Sequence, residues 1–320
     1  TASVLAPNNA AMRSNLGMLQ LVRGDYTHGW LSHEARWDGS LELGGLRPVM
    51  PAPTWRGESL VGKTLLVWGE QGMGDVLQFS RYIPLLAARV HREGGRLVWN
   101  SFPQMGGLLA RSLGDHVDGY SAGGGVDSLP PFDYEIPLLS LPLIFGTSEE
   151  TIPAEIPYLH ADIVASKSWQ KRLGEETRLK VGLVWTGSAG HQRNPFRRVG
   201  WERYAEYFGH MQNVAFYSLQ PGADADVVAA RAAGLPMSDY SAEFANFDDT
   251  AAFVSALDLV ITVCTSVAHL SGALGQRIAQ RPVQLQQRGE DRIVAVALLQ
   301  AAVLGTALAA LARFHRDLLL

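Results

Sequence analysis

The sequence predicts an α/β protein made of two doubly wound units, and three observations support this fold class. The largely apolar runs Thr64–Trp68 and Lys180–Trp185 are typical of buried parallel strands. Each run is followed by a glycine-containing turn and then by a helical segment. The length of 320 residues suits two α/β domains, and the 47% of hydrophobic residues can fill a core in each.

Composition excludes several classes of function. The formal net charge of −4 provides no overall basic field, so nucleic acid is not an expected partner. The single cysteine, Cys264, cannot form an intrachain disulfide, which agrees with the cytoplasm as the predicted location. No apolar run reaches about 18 residues, so no transmembrane segment is predicted.

The first 43 residues predict a helical hairpin over Asn8–Trp37. This segment resembles one tetratricopeptide repeat at Asn15-Leu16-Gly17, Gly24-Asp25-Tyr26 and Gly29-Trp30. The alternative is an ordinary helix pair that caps a domain. A single repeat cannot bury its own apolar face, and the chain starts at Thr1 rather than Met. We therefore expect a fragment of a longer protein with further repeats upstream.

A linker over 44–63, rich in proline and glycine, is predicted to lead into the first α/β unit over 64–160. The predicted elements of this unit are the strand Thr64–Trp68, a helix Val76–Val90, a strand Arg96–Trp99, a helix around Leu108–Leu113 and a loop over 121–131.

Two prolines and the polar stretch 160–178 predict a second linker, and the second α/β unit is expected over 161–276. The predicted elements of this unit are the strand Lys180–Trp185, a helix Trp201–Phe208, a strand Val214–Leu219, a helix capped by Asp248-Asp249-Thr250 that ends at Leu257, a strand Leu259–Val263 and a helix that begins at Thr265-Ser266.

The segment Gly57–Thr64 matches the phosphate-binding pattern G-x-x-x-x-G-K-T, but its context argues against that function. A phosphate-binding loop of this kind follows a strand and opens a helix, so that backbone amides converge on the phosphate. Here the pattern follows a proline-rich stretch and leads into a strand. We therefore reject an NTPase.

Gly72, Met73, Gly74 and Asp75 lie between a predicted strand and a predicted helix, at the carboxyl edge of the sheet where open α/β folds bind ligands. The glycines would let a substrate approach the backbone. An ionised Asp75 could accept a proton from an acceptor hydroxyl, which makes it the candidate catalytic base. The alternative is that Asp75 only caps the helix.

A second candidate site follows the first strand of the second unit. Thr186 and Gly187 are small enough to let a diphosphate approach the backbone, and Gln220, directly after the strand Val214–Leu219, is also a substrate-binding candidate. The next segment adds Arg193, Arg197 and Arg198, and arginine suits bidentate phosphate contacts. A solvated loop is the alternative.

Thr265 and Ser266 follow another strand and open a helix that carries His269. Hydroxyls and unpaired amides at the start of a helix favour an anion, and His269 lies one turn further along. A histidine packed in the core is the alternative for His269.

Three blocks resemble a known family. They are Leu65–Phe79, Lys180–Gly187, and Leu257–Val263 continued by Thr265–Leu270. Together they look like tetratricopeptide-repeat proteins whose terminal region is similar to the ADP-heptose:lipopolysaccharide heptosyltransferases of glycosyltransferase family 9. The similarity covers about residues 10–276.

This resemblance implies a GT-B fold, with two Rossmann-like halves and a nucleotide-sugar cleft. It implies metal-independent, inverting transfer without a cofactor, with the donor nucleotide bound mainly by the second half. The proposed base of the family falls on Asp75, its cationic phosphate contact near Arg197 and Arg198, and its donor pocket on Thr265–His269.

The chain departs from the family at two places. Cys264 stands where the family usually has an aspartate that holds donor sugar hydroxyls, and a thiol is a poor acceptor. From about residue 277 the tail lacks the expected tryptophan-rich segment, and we interpret 277–320 as a frameshifted or replaced end in which 293–312 can still form a helix.

The resulting prediction is a glycosyltransferase that moves a sugar from a nucleoside-diphosphate donor to a hydroxyl acceptor on a glycan, a lipid-linked glycan or a protein. The repeat-like hairpin adds an expected protein partner. The alternative is a non-catalytic scaffold with a degenerate transferase domain.

Overall fold

The computed structural model describes residues 8–40, 43, 47–188, 190–191 and 194–280. The chain divides into one compact unit that ends at Glu155 and a second that begins at Ile156. Among the described residues, no helix is long and apolar enough to cross a membrane. Residues 281–320, which include the helix expected over 293–312, lie outside the described residues.

The first unit begins with the helices α1 (Ala10–Val22), α2 (Tyr26–His33) and α3 (Arg36–Gly39). The side chain of Asn9 caps α1, and that of Asp25 caps α2. The backbone of α1 approaches α2 closely at Gly17, where an added Cβ atom would lie 2.8 Å from the backbone nitrogen of His33. A helical hairpin is therefore present, and its identity as a tetratricopeptide repeat stays a prediction.

The first unit continues with a parallel sheet of the order β3-β2-β1-β4 and the helices that connect its strands. Its elements are β1 (Thr64–Trp68), α4 (Met73–Phe79), α5 (Ile83–Arg92), β2 (Arg96–Ser101), α6 (Gly106–Leu113), β3 (Gly119–Ala122), β4 (Tyr134–Pro137) and α7 (Leu141–Ile144). The central strand β1 is buried over its last four residues, as its apolar sequence predicts.

The helix expected over Val76–Val90 is interrupted. The 3₁₀ turn Ser80–Tyr82 separates α4 from α5, and Pro84 lies in the first turn of α5. Proline has no N–H to donate, and its ring clashes with the carbonyl four residues earlier, here that of Ser80. One continuous helix was therefore the wrong prediction.

Part of the stretch expected as a linker over 44–63 packs on the first unit. Trp55 and Leu60 are buried, and the backbone N–H of Trp55 donates to the backbone carbonyl of Glu135 on β4. Lys63 lies at the entrance to β1 and pairs with Asp133 at 2.9 Å. Since a strand follows Lys63 and no helix does, the structure agrees with the rejection of a phosphate-binding loop.

The second unit is a five-stranded parallel sheet of the order β7-β6-β5-β8-β9 with helices between its strands. Its elements are α8 (Ile163–Arg172), β5 (Leu179–Val184), α9 (Asn194–Arg197), α10 (Trp201–Phe208), β6 (Val214–Ser218), α11 (Asp224–Ala232), β7 (Met237–Asp239), α12 (Phe247–Val254), β8 (Leu259–Thr262), α13 (Ser266–Ala273) and β9 (Ile278–Gln280). Apolar residues from the strands fill a core on each side of the sheet.

Three sequence predictions for this unit need correction. The polar stretch 160–178 contains the helix α8, which packs through Trp169 against Phe253 at a ring-centroid distance of 4.7 Å. Asn246, rather than Asp248, is the cap of α12. Residues 278–280, assigned to an unrelated tail, form the strand β9, which pairs in parallel with β8 at the edge of the sheet.

Candidate functional site

In the first unit, the segment Gly69–Gly72 connects β1 to α4, and we call it the Glu70 loop. At Gly69 the backbone runs so close to α4 that an added Cβ atom would lie 3.0 Å from the side chain of Val76. Gln71 has a φ of 59°, in the left-handed region that residues other than glycine rarely adopt. The loop is therefore a tight turn with a strained centre that surrounding contacts must hold.

Asp75 lies at the third position of α4, and its Oδ2 accepts a hydrogen bond from the Gly72 N–H at 3.0 Å. This contact is one half of a capping box and orients the carboxylate at the start of the helix. Met73 and Gly74 form the first turn of α4. The four residues Gly72, Met73, Gly74 and Asp75 thus lie at the carboxyl end of β1, and the role of Asp75 as a base stays a prediction.

Sequence reasoning missed Glu70, which is buried in the same loop. Both of its carboxylate oxygens accept from the guanidinium of Arg36, at 2.9 and 2.6 Å. Burial raises the pKa of Glu70, while the hydrogen bonds and the charge of Arg36 act in the opposite direction. The sequence around Glu70 gave no signal that this residue would be buried, because its partner Arg36 lies 34 residues away in sequence.

In the second unit, β5 ends at Val184, and Thr186 and Gly187 form the turn beyond it. The Thr186 N–H donates to Oε1 of Gln220 at 3.2 Å, which joins the ends of β5 and β6. The Gly187 N–H donates to Oδ1 of Asn194 at 2.8 Å. The structure therefore brings Thr186, Gly187 and Gln220 together, and it satisfies both amides with side chains of the protein itself.

Asn194 is a second residue that sequence reasoning missed. Its side chain is buried, and besides binding the Gly187 N–H it donates to Oγ1 of Thr186 at 3.0 Å. An added Cβ atom at Gly187 would lie 2.9 Å from Oδ1 of Asn194, so a larger residue there would displace the Asn194 side chain. The signal in the sequence was the Asn194-Pro195 pair, since asparagine followed by proline favours a turn that starts a helix.

Arg197 lies in α9, and its Nη1 donates to the carbonyl of Cys264, just beyond the end of β8, at 3.2 Å. Its Nε is buried and has no hydrogen-bond partner among the described residues. No carboxylate in the described part of the chain forms an ion pair with Arg197 or with the exposed Arg198. Arg193, the third arginine of this segment, lies outside the described residues.

Thr265 is the N-cap of α13, and Ser266 is the first residue of the helix. The Thr265 hydroxyl lies 3.2 Å from that of Thr262 and does not cap the helix with its side chain. His269 is half-buried one turn along α13, and Cys264 is also half-buried. The predicted start of a helix at these residues is therefore confirmed, and their contact with a ligand stays a prediction.

The strand order explains why these residues meet. The neighbouring strands β6, β5 and β8 are parallel, so their carboxyl ends lie at one edge of the sheet. That edge carries Gln220 after β6, Thr186 and Gly187 after β5, and Cys264 and Thr265 after β8, with Arg197 above them. It offers hydroxyls and a guanidinium, which are groups that bind phosphate.

Comparison with known proteins supports the fold. No protein-family model matches the chain. The chain is 27% identical over 308 residues to Protein FlbA of Caulobacter vibrioides, and the matched region covers 86% of this chain and 50% of that protein. The chain thus spans about half the length of this curated relative.

Among solved structures, the glycosyl transferase family 9 structure from Veillonella parvula superposes with a TM-score of 0.51 at 13% identity, covering 71% of this chain and 82% of that chain. The E. coli ADP-heptose lps heptosyltransferase II gives a TM-score of 0.49 at 12% identity over 68% of this chain and 84% of that chain. The chain therefore has a fold similar to that of the glycosyl transferase family 9 structure, with parallel sheets in both units.

Proposed function

We propose that the chain is the transferase part of a glycosyltransferase that takes its sugar from a nucleoside-diphosphate donor. One observation carries the proposal. Arg197 lies above the carboxyl ends of β5 and β8, within reach of Gly187 and the Cys264 carbonyl, and its buried Nε has no hydrogen-bond partner in the described part of the chain. A guanidinium held there without a carboxylate partner among the described residues suits a diphosphate.

The other residues of that edge have defined supporting roles in this proposal. The amides of Thr186 and Gly187 are bonded to Gln220 and Asn194, so these side chains shape the turn and Arg197 carries the phosphate charge. Thr265, Ser266 and His269 contribute polar contacts to the donor. Arg198 adds a more distant positive charge. The site uses no metal ion and no cofactor.

The first unit supplies the base. The acceptor hydroxyl attacks the anomeric carbon of the donor sugar, its proton passes to Asp75, and the bond from that carbon to the diphosphate oxygen breaks. The nucleoside diphosphate leaves with the bonding electrons, and a positive charge on Arg197 offsets the negative charge that develops there. Attack from the side opposite the leaving group inverts the anomeric configuration.

A non-catalytic scaffold is the second candidate, and two observations favour it. Asp249 at the third position of α12 accepts from the Asn246 N–H at 3.3 Å in a capping box of the same kind as that of Asp75. Asp75 could therefore be purely structural. The substitution of Cys264 for a carboxylate in the proposed donor pocket points in the same direction.

The pair of capping aspartates provides the test. In Asp75→Asn the amide oxygen can still accept from the Gly72 N–H, so folding and donor binding are retained while transfer falls by about 10²-fold or more, because the base is lost. Asp249→Asn is the matched control and keeps its turnover. The measurement is release of nucleoside diphosphate from nucleotide sugars. Equal turnover of Asp75→Asn and wild type would remove Asp75 from the mechanism.

A further inference from the structure

Arg36 and Glu70 form a buried ion pair in the first unit. Arg36 is 1% exposed and Glu70 is 3% exposed. The guanidinium donates from Nε to one carboxylate oxygen at 2.9 Å and from Nη2 to the other at 2.6 Å. This bidentate contact fixes both the distance and the orientation of the Glu70 side chain.

Additional polar groups surround the pair. Nη1 of Arg36 donates to Glu34 at 2.7 Å, and Nη2 also donates to the hydroxyl of Ser140 at 2.9 Å. The Leu139 N–H donates to Glu70 at 3.1 Å. The cluster therefore joins the helical hairpin, the Glu70 loop and the turn after β4 through hydrogen bonds.

A stabilising role alone does not account for this cluster. Removing two charges from water costs much of what their attraction returns, so well-packed apolar side chains often stabilise a core as well or better. What a buried pair with this geometry adds is a single permitted arrangement of the groups it joins. Here the ion pair fixes the Glu70 loop, which leads into Asp75.

The Glu70 loop needs such a contact. Gln71, directly after Glu70, has a φ of 59°, which is unfavourable for a residue with a side chain. Glu70 is held on one side of Gln71 by Arg36, and on the other side the Gly72 N–H is held by Asp75 at 3.0 Å. If Glu70 were released, Gln71 could relax, and Gly72 and Asp75 would move with it.

We propose that Arg36, carried by the helical hairpin, is a positioning residue that holds the Glu70 loop and thereby places Asp75 for catalysis. The hairpin is then an integral part of the candidate active site and not only an attached helix pair. This inference rests on the proposed function for its effect on turnover, but its effect on the loop can be measured separately.

The test compares Arg36→Lys with wild type by amide hydrogen exchange and by turnover. Lysine keeps the charge but cannot make the bidentate contact. We expect exchange in peptides that cover residues 69–79 to become at least tenfold faster, with β2 unchanged. The kcat for release of nucleoside diphosphate should fall at least tenfold. The Kd of the protein for the donor, which binds to the second unit in the proposed function, should stay constant.

Two further variants complete the design. Glu70→Gln keeps the shape of the side chain and leaves Glu34 to balance Arg36, so it gives a smaller effect in the same direction and replaces Arg36→Lys if that variant does not fold. Arg47→Lys is the matched control, because Arg47 also pairs with a buried carboxylate of this unit, that of Glu135 at 3.0 Å. It leaves the exchange of residues 69–79 unchanged.

The outcomes separate this inference from the proposed function. Unchanged exchange over 69–79 in a folded Arg36→Lys or Glu70→Gln protein overturns the inference, and so does faster exchange with unchanged kcat. A general increase of exchange throughout the first unit also overturns it, since that indicates only lost stability. Faster exchange confined to 69–79 in a protein whose wild type releases no nucleoside diphosphate supports the positioning and counts against the transferase.

Discussion

Two neighbouring arginines in the second unit have different surroundings. Arg197 is half-buried, with one nitrogen bound to the Cys264 carbonyl and its Nε unpartnered within the described part of the chain. Arg198 is exposed. A half-buried guanidinium is less screened by water than an exposed one, so the two charges should contribute unequally to binding of a diphosphate.

We therefore predict that Arg197→Ala weakens binding of a nucleoside diphosphate at least tenfold, because a charge-assisted hydrogen bond is lost. Arg198→Ala changes the affinity less than about threefold, because an exposed ion pair contributes little free energy. Calorimetric titration with ADP, UDP and GDP provides the measurement. Thermal melts of both variants check that folding is retained. Similar losses in the two variants would mean that neither contact is specific.

At this scale, sequence predicts a residue when its signal is local. Thr265 was expected at the start of a helix because two hydroxyl residues, Thr265 and Ser266, lie shortly after an apolar strand, and the structure confirms this position. Asn194 and Glu70 were missed because their functions depend on partners in other elements. Burial of Glu70 by Arg36 in particular requires the folded hairpin.

Among the elements, long apolar runs were predicted well and short strands were not. The strands β1, β5 and β8 and the helix α10 lie close to their expected positions. The strands β3, β4 and β7 have only three or four residues and gave no periodic signal. Their place in the sheets is set by pairing with β2, β1 and β6, which is tertiary information.

The packing of the hairpin gives a prediction for elements. Gly17→Ala would place a Cβ atom 2.8 Å from the backbone nitrogen of His33. Backbone cannot yield as a flexible side chain does, so the two helices must separate, at a cost of about 1–3 kcal/mol. Urea unfolding of the purified protein measures this cost.

Gly114→Ala is the matched control for this experiment. Gly114 has ordinary helical angles, and an added Cβ atom there meets nothing within 4 Å. Alanine at such a position leaves stability unchanged or raises it by up to about 1 kcal/mol. Equal stabilities of the two variants would show that α1 and α2 do not pack closely at Gly17.

For the whole molecule, the sequence predicted two parallel α/β units from two apolar runs, and the structure contains them. It did not predict that α8, β9 and residues 47–63 belong to the folded units. Polar or proline-rich composition resembles a linker, and only burial of residues such as Trp55 shows otherwise. The candidate donor edge could be anticipated because ligands bind at the carboxyl ends of parallel strands.

The most direct test of the account is release of nucleoside diphosphate by the purified chain from ADP-heptose, ADP-glucose, UDP-glucose, UDP-N-acetylglucosamine and GDP-mannose, each with and without EDTA. We expect that one donor is turned over above the uncatalysed rate, that EDTA does not change this rate, and that Arg197→Ala abolishes most of it. Binding of no donor at millimolar concentration, together with no release above background, would contradict the account and leave the non-catalytic scaffold.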